Sequence, residues 1–265
     1  MLAAYDAELR AYLPPIPAEG EAIERDGPVL RFMRDDGQGW VLYQDLGGLE
    51  GDALDALIAR QVEVFAKRGQ RFEWKHHGHD LPVDLPDRLR AAGFVPEDQE
   101  TVVIGEVEGI AGPVVVPEGV RLREVTARPD LERIARMEGE VWGERHTDLV
   151  GFLASEIAAD PESVRIVVAE AGDTVVCASW IRFPIGTDIA TLWGGATLAA
   201  WRRKGIYRAT VTYRANLAAA RGFRYLQVDA SDDSRPILER LGLVAVTTTT
   251  PYVWTPPTAD MGPPS

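Results

Sequence analysis

Apolar residues recur at two different periods along this chain, and switching between them marks out its elements. Residues 52–69, DALDALIARQVEVFAKRG, place Leu54, Leu57, Ile58, Val62 and Phe65 at intervals of three and four. That is the stripe of an amphipathic helix, opening at Asp52 and closing at Gly69. Ahead of it, residues 1–28 predict a short helix up to Tyr12 and a Pro-rich lead-in. VLRFM (29–33) and GWVLYQ (39–44) predict strands around the turn DDGQG. Behind it come a strand RFEWK, a loop punctuated by prolines, a helix near 86–92 and a strand near 101–107.

The second half opens with a strand, GVRLREV, followed by two helices. One runs around 129–142, with Leu131, Ile134, Ala135 and Val141 inward; the other runs around 148–159, with Leu149, Phe152, Leu153 and Ile157 inward. Asp160-Pro161 stops the second, because a residue before proline is driven out of the helical region. VRIVVAE and TVVCASWIRF then form a hairpin, and IATLWGGATL a further strand. A helix over about 205–221 follows, with Ile206, Thr210, Tyr213 and Leu217 as its stripe. A strand RYLQVDA, a helix near 234–240 and a last strand near 252–254 complete the list.

One pattern occurs twice. KRGQRFEWK followed by LRAAGF in the first half matches ARGFRYLQV followed by LERLGL in the second. In each, a long helix ends at Arg-Gly, a strand follows, and a helix closes on Gly plus an apolar residue: Leu89, Gly93, Phe94 against Leu238, Gly242, Leu243. The reading is two copies of one α/β unit. They occupy an N-terminal domain over 1–110 and a second over 119–255, joined by a Gly- and Pro-bounded linker over 111–118 and followed by a disordered tail over 256–265.

Charge narrows the partners. With 28 Lys and Arg against 41 Asp and Glu, the formal net charge of −13 excludes the broad positive face that nucleic acid requires, while attracting cationic amines. The single cysteine, Cys177, forms no internal disulfide and reads as a packed thiol. No apolar run approaches the ~20 residues that span a bilayer, and the N-terminus is a poor signal peptide, so the expectation is a cytoplasmic protein with no membrane partner. His76, His77 and His79 lack metal-ligand spacing, and no metal is expected.

Against that acidity, residues 199–210 read AAWRRKGIYRAT, with Arg202, Arg203, Lys204 and Arg208 wrapped around Gly205. The stretch joins a strand to a helix, where the first backbone N–H groups lack partners and the dipole favours an anion. Gly205 permits close backbone approach. A diphosphate meets those requirements; a solvated basic helix start is the other reading of the same residues.

Arg202-Arg203-Lys204-Gly205-Ile206-Tyr207 resembles the R/Q-x-x-G-x-G/A acyl-CoA loop of the GCN5-related N-acetyltransferases, the GNAT superfamily, and the element order over 119–254 is similar. The resemblance implies an α+β fold with a mixed, mostly antiparallel sheet flanked by helices, in two tandem copies. The first copy is reduced and lacks the loop, with DLGGLEGDA in its place. It implies acetyl-CoA as acyl donor, its diphosphate on residues 202–208 and its pantetheine arm along the strand ending at Thr197 and Leu198, where that strand splays from Tyr225–Ala230. Transfer would go directly to a primary amine of a small molecule or peptide, and a homodimer is compatible with it.

Two positions depart from the family. Tyr207 stands where Gly or Ala is preferred, so its ring must point away from the diphosphate or line the acyl slot. Leu238 stands where a general-acid Tyr is frequent, so protonation of the thiolate must come from elsewhere, from water, or not at all; Ser234 and Ser231 are candidate donors, with an N-cap as the other role for Ser234. As general bases, Asp229 on the splayed strand and Glu138 rank first. Glu140 and Glu144 lie with Glu138 where the family builds its acceptor pocket. Trp142 and Trp193 could wall it, although core packing is the expectation for both. The leading reading is an N-acetyltransferase; the alternative is a non-catalytic acyl-CoA sensor or scaffold. A third is an acyltransferase acting on a larger thiol- or sugar-linked amine, in the manner of enzymes similar to mycothiol synthase.

Overall fold

The computed structural model describes residues 1–15, 20–35, 38–143 and 149–257. Helix α1 (Leu2–Glu8) is followed by strands β1 (Glu21–Asp26), β2 (Val29–Arg34) and β3 (Gly39–Leu42), which pair antiparallel in sequence. The striped helix is α2 (Gly51–Arg68), burying Leu54, Leu57, Ile58 and Phe65. It carries the chain to β4 (Phe72–His77), parallel to β3, as a helical crossover allows. Then come α3 (Leu85–Ala91), β5 (Val95–Pro96), β6 (Glu100–Glu106) and α4 (Val107–Ile110). The second half contains β7 (Val120–Val125), α5 (Arg128–Trp142), α6 (Leu149–Ala159), β8 (Val164–Ala171), β9 (Thr174–Arg182) and β10 (Ile189–Thr197). It closes with α7 (Ile206–Ala220), β11 (Tyr225–Ala230), α8 (Arg235–Arg240) and β12 (Val244–Trp254).

The chain folds into two compact units whose boundary differs from a cut at 110. Residues 101–247 and the N-terminal segment form one unit; residues 20–100 and the segment from 248 onward form the other. Strand β6 belongs to the first because Thr101–Glu106 pairs antiparallel with Ala230–Tyr225 of β11. The last strand supplies the second, with Thr249–Trp254 pairing with His77–Phe72 of β4. Each unit thus completes its sheet with a strand from the other half of the chain, which local composition at the linker does not register. The strand order is β6-β11-β10-β9-β8-β7 in the first unit and β1-β2-β3-β4-β12 in the second.

The repeated pattern corresponds to repeated caps. Gly69 ends α2 at φ +62°, and Gln70 N–H donates to the Phe65 carbonyl; Gly222 (φ +78°) follows α7, with Phe223 N–H donating to Ala218. Gly93 (φ +91°) and Gly242 (φ +99°) close the shorter helices, with Phe94 bonding back to Leu89 and Leu243 to Leu238, the same six-to-one bond. All four apolar residues of these two caps are buried.

In the first unit, alternating residues of the strands feed two apolar clusters. One joins Leu131, Ile134 and Met137 of α5 and Leu153 of α6 to Val168, Val176 and Trp180. The other joins Val211, Ala215 and Ala218 of α7 and Leu238 of α8 to Ile181, Leu192 and Leu226. The stripe expected on α7 holds at Ile206 and Thr210, both buried, and at Leu217, which packs on the second cluster. The buried face is wider than that stripe, small alanines also lying against the sheet, while Tyr213 turns its hydroxyl out to Glu124 (2.9 Å). Strand β1 lies in the expected lead-in, and β12 begins eight residues before Tyr252, with Pro251 inside it.

Glu170 of β8 is buried yet paired: Arg123 and Arg133 reach its Oε1 at 3.0 and 2.8 Å and Arg121 its Oε2 at 3.0 Å, and Asp130 closes the network on Arg123. Hydrogen bonding from Arg123 holds both carboxyls below their ordinary range. That contribution is complete above the unfolded carboxylate pKa values and disappears as pH falls through the lowered ones. Glu170→Gln should cost about 2 kcal/mol at pH 7 and flatten the acid limb of stability, read by urea titration at pH 7 and pH 3.

Candidate active site

The parallel pair β10/β11 is joined only at its start. Ile189, Ala190 and Thr191 register with Tyr225, Leu226 and Gln227, and no pairing continues beyond Thr191. From there β10 runs on to Thr197 bonded to β9 on its other edge, leaving its β11-facing edge open among the described residues. The register with β9 shifts between Gly194 and Ala196, a bulge that two glycines at φ +67° and +95° make accessible. A Cβ on Gly194 would lie 2.5 Å from the Trp180 ring, and one on Gly195 2.5 Å from the Tyr207 ring. Both glycines are thus required twice over, by φ and by contact. Gly195→Ala should lower stability by about 2 kcal/mol, measured by thermal or urea unfolding.

Past the bulge the chain prepares an anion site at the start of α7. Leu198 N–H still bonds to Val176 (3.0 Å), and residues 199–201 make one turn of 3₁₀ helix. Arg202 then folds back, Nε donating to the Thr197 carbonyl at 3.0 Å. Arg203 (φ +61°) and Gly205 (φ +87°) both adopt left-handed backbone, turning the chain sharply into the start of α7. Gly205 is the N-cap of α7 with no side-chain cap, which leaves the N–H groups of Ile206, Tyr207 and Arg208 for a ligand. Most arginines in this acidic chain meet a carboxylate, as Arg165 does with Glu162 and Arg182 with Glu156. Among the described residues Arg202, Arg203, Lys204 and Arg208 form no ion pair; Lys204 lies over the Trp201 ring at 4.4 Å instead.

The two leading base candidates are in different environments. Glu138, on the inner face of α5 beside Met137, is 4% exposed, and its Oε1 has no hydrogen-bond partner. Burial raises its carboxyl to about 7, opposed by a hydrogen bond from Trp142. Its charge is felt by Cys177, the register partner of Thr197 on β10. Asp229 is partly exposed and accepts from Gln227 Nε2 at 2.7 Å, occupied at the strand end rather than buried.

No family model matches the sequence, and no curated protein matches it either. Solved structures do. A GCN5-related N-acetyltransferase from Kribbella flavida superposes with a TM-score of 0.66 at 15% identity, covering 91% of each chain. A tandem GNAT protein from the clavulanic acid biosynthesis pathway gives 0.62 at 15% identity, over 98% of this chain and 94% of its own. A GCN5-related N-acetyltransferase from Sphaerobacter thermophilus gives 0.62 at 13% identity, over 91% and 84%. This chain has the GNAT fold.

The remaining expected residues are spread over that GNAT frame. Trp142 and Trp193 are 53% and 43% exposed, so the expectation of core packing is corrected for both. Trp193 bonds Thr191 Oγ1 through its indole (2.7 Å) and stacks under Arg182 at 4.4 Å, on the side where Arg182 grips Glu156 of α6. Glu140 is exposed, and Glu144 lies outside the described residues. Ser234 occupies the N-cap position of α8 without a side-chain cap, and its Oγ meets Ser231 Oγ at 3.2 Å. Leu238 is fully buried in the α7–α8 cluster. Cys177 is packed, its thiol raised to about 11 by burial. In the other unit, His77 is buried beside Asp80, and no group of three metal-ligating residues occurs among the described residues. No helix among them is long and apolar enough to cross a membrane.

The sequence reading missed Arg214. It is fully buried in α7, donating to Thr210 (3.1 Å), Trp180 (2.9 Å) and Trp193 (3.0 Å) carbonyls, and no carboxylate meets it among the described residues. Trp180 and Trp193 are register partners immediately before the bulge, so the guanidinium pins β9 to β10 there. A single Arg among alanines and threonines resembles any solvent-facing helix position; only the breadth of the buried face of α7 turns it inward.

Proposed function

We propose that the protein is an acyl-CoA-dependent N-acyltransferase, using acetyl-CoA and a primary amine, with its one site on the second half of the chain. The observation that supports this most is the coincidence of two features. The split between β10 and β11 opens at the end where the loop 202–208 offers unpaired cations and orphan N–H groups. The open edge of β10 can take the pantetheine amides as an added strand, while the loop cations and the helix start hold the diphosphate. The first half, with Asp45 capping an acidic Gly-rich turn before α2, is read as a reduced copy without a donor site.

In this reading Glu138 is the base. A carboxyl near 7 is ionised in part at neutral pH and strong enough to take a proton from an ammonium. Trp142 would steer that cation onto the carboxylate with its indole face. Asp229 and Ser234 flank the split, Asp229 accepting from Gln227 and Ser234 standing at the start of α8. Acyl transfer then forms the amide N–C bond and breaks the thioester C–S bond. The amine proton goes to Glu138, and the sulfur receives one from a donor on the opposite side.

Acetyl-CoA at 1 mM should raise the melting temperature, and CoA thiol should be released with at least one member of an amine panel. No thermal shift would remove the donor site. A shift without CoA release from any amine would favour the sensor over the enzyme, the outcome to which the buried Leu238 lends weight.

A further inference from the structure

Trp193 stands two residues beyond Thr191, the last residue that β10 shares with β11, so its indole lies beside the point where the strands part. Alternation puts Trp193, Thr191, Arg182 and Trp180 on one face of the sheet, together with Tyr225 and Gln227 of β11. The indole is held on two sides. Its Nε1 donates to Thr191 Oγ1 at 2.7 Å, and the Arg182 guanidinium lies over the ring, 4.4 Å from its centroid. Arg182 is fixed in turn from α6. Its Nη2 donates to Glu156 Oε2 at 2.9 Å, its Nε donates to the other carboxylate oxygen, and the Phe152 ring lies 5.3 Å away. The indole is nevertheless 43% exposed. A large aromatic normally escapes water by burial or moves freely at the surface. One locked by a hydrogen bond and a stacked guanidinium, with the rest of it open to water, is a preorganised platform.

This platform is bounded. On one side stand Phe152 and Glu156 of α6. On the other, helix α1 joins Tyr225 in one apolar cluster and fastens to the turn that leads into β10. There Asp188 N–H donates to Glu8 Oε2 at 2.7 Å and Ile185 N–H to the Tyr12 hydroxyl at 2.9 Å. From β11 to Arg182 on β9 is two strand spacings, about 10 Å where the strands are still joined. That is the width of one small ring system.

We propose that the acceptor is a small amine with a flat aromatic body, that this body stacks on Trp193, and that Trp193 sets the preference for it. The proposal rests on the acyl-transfer reading of the same site. Charge decides against other amines. Arg182 already lies over the indole and draws on its electron density, so a second cation on the ring would be held poorly, whereas a neutral ring loses nothing. Glu156, the carboxylate next to the platform, is engaged by Arg182 and leaves no partner there for a polyamine or a lysine side chain. The ammonium of the acceptor therefore stands off the platform by a short linker, toward α5. That helix packs on Trp180, the register partner of Trp193, and carries the buried Glu138. An arylalkylamine has this division of parts, an apolar ring at one end and a cation at the other. The acidity of the chain attracts amines in general, and the indole selects among them.

The test compares 2-phenylethylamine with propylamine, which lacks the ring, and with spermidine, a linear polycation. Each is titrated calorimetrically into protein saturated with CoA, and kcat/KM is taken from CoA release with acetyl-CoA. In the wild type the aromatic amine is expected to bind at least about 10-fold more tightly than either of the others. Trp193→Ala should abolish that preference, mainly through KM, and Trp193→Phe should restore most of it by keeping a ring to stack on. Neither variant disturbs the hydrogen bond from Arg214, which goes to the main-chain carbonyl of residue 193. Equal binding of the three amines by the wild type overturns the proposal, as does tighter binding of spermidine or a preference that survives Trp193→Ala. A thermal shift with acetyl-CoA but no preference for the aromatic amine refutes the proposal and leaves the donor site standing. Absence of that shift in the wild type refutes the acyl-transfer reading itself.

Discussion

Glu138→Gln should produce an enzyme that is slower and more stable at the same time. Turnover is expected to fall about 10²–10⁴-fold, the range for loss of a general base, with little change in acetyl-CoA binding. In the wild type the rate should rise with pH through about 7 as Glu138 ionises, and that limb should be absent from the variant. Stability moves the opposite way. The folded-state carboxyl is raised above its unfolded value near 4.5, so ionising it costs stability as pH climbs from there to about 7, and the full cost persists above. Gln carries no such charge, so the variant should be more stable above pH 7 by up to on the order of 3 kcal/mol. Urea denaturation at pH 5 and pH 8 separates the outcomes. A variant equally stable at both and equally active would show that Glu138 is ordinary core.

Gly205→Glu tests the other end of the site and should weaken acetyl-CoA binding at least about 100-fold. The position suits the experiment because a Cβ there meets nothing within 4 Å, so the substitution does not force the fold apart. The φ of +87° adds strain of about 1–2 kcal/mol, part of which the new carboxylate offsets by facing the positive end of the helix dipole. That same carboxylate occupies the orphan N–H groups of residues 206–208 and repels a diphosphate. Gly205→Ala separates the two effects, carrying the strain without the charge, and should bind acetyl-CoA nearly as well as the wild type. Calorimetric titration of all three proteins decides it. Tight binding by Gly205→Glu would mean that the four cations are a solvated helix start after all.

These expectations depend on features that were unequally legible. The loop 202–208 could be read directly, because a helix start is local: residue type, a glycine and the order strand-to-helix suffice. The repeated caps were legible for the same reason, since an αL glycine followed by an apolar residue is short-range chemistry. Glu138 could be nominated from sequence, but not preferred to Asp229. What distinguishes them is that α5 buries one carboxylate with an unpartnered oxygen, whereas Gln227 already holds the other.

Long-range pairing was not readable. Strand β1, EAIERD, is polar at most positions, because only one of its faces is covered and its partner is what makes it a strand. The run VAVTTTTP lay outside the strand expected near 252–254; it belongs to β12, and pairing with β4 places Pro251 opposite Lys75. The exchange of β6 and the end of β12 between units depends on contacts more than a hundred residues apart, which no local pattern encodes.

By itself the sequence determined most of the helices and strands and their order, the repeated helix caps, the acidic composition and the one basic loop around Gly205, all properties of neighbouring residues. Tertiary structure alone decided which glycines carry the bulge, that Arg214 turns inward beneath it, and that the Tyr207 ring packs on Gly195. Those follow from how α7 seats on the sheet, which is set by the sum of side-chain volumes on both surfaces rather than by any residue of the helix read alone.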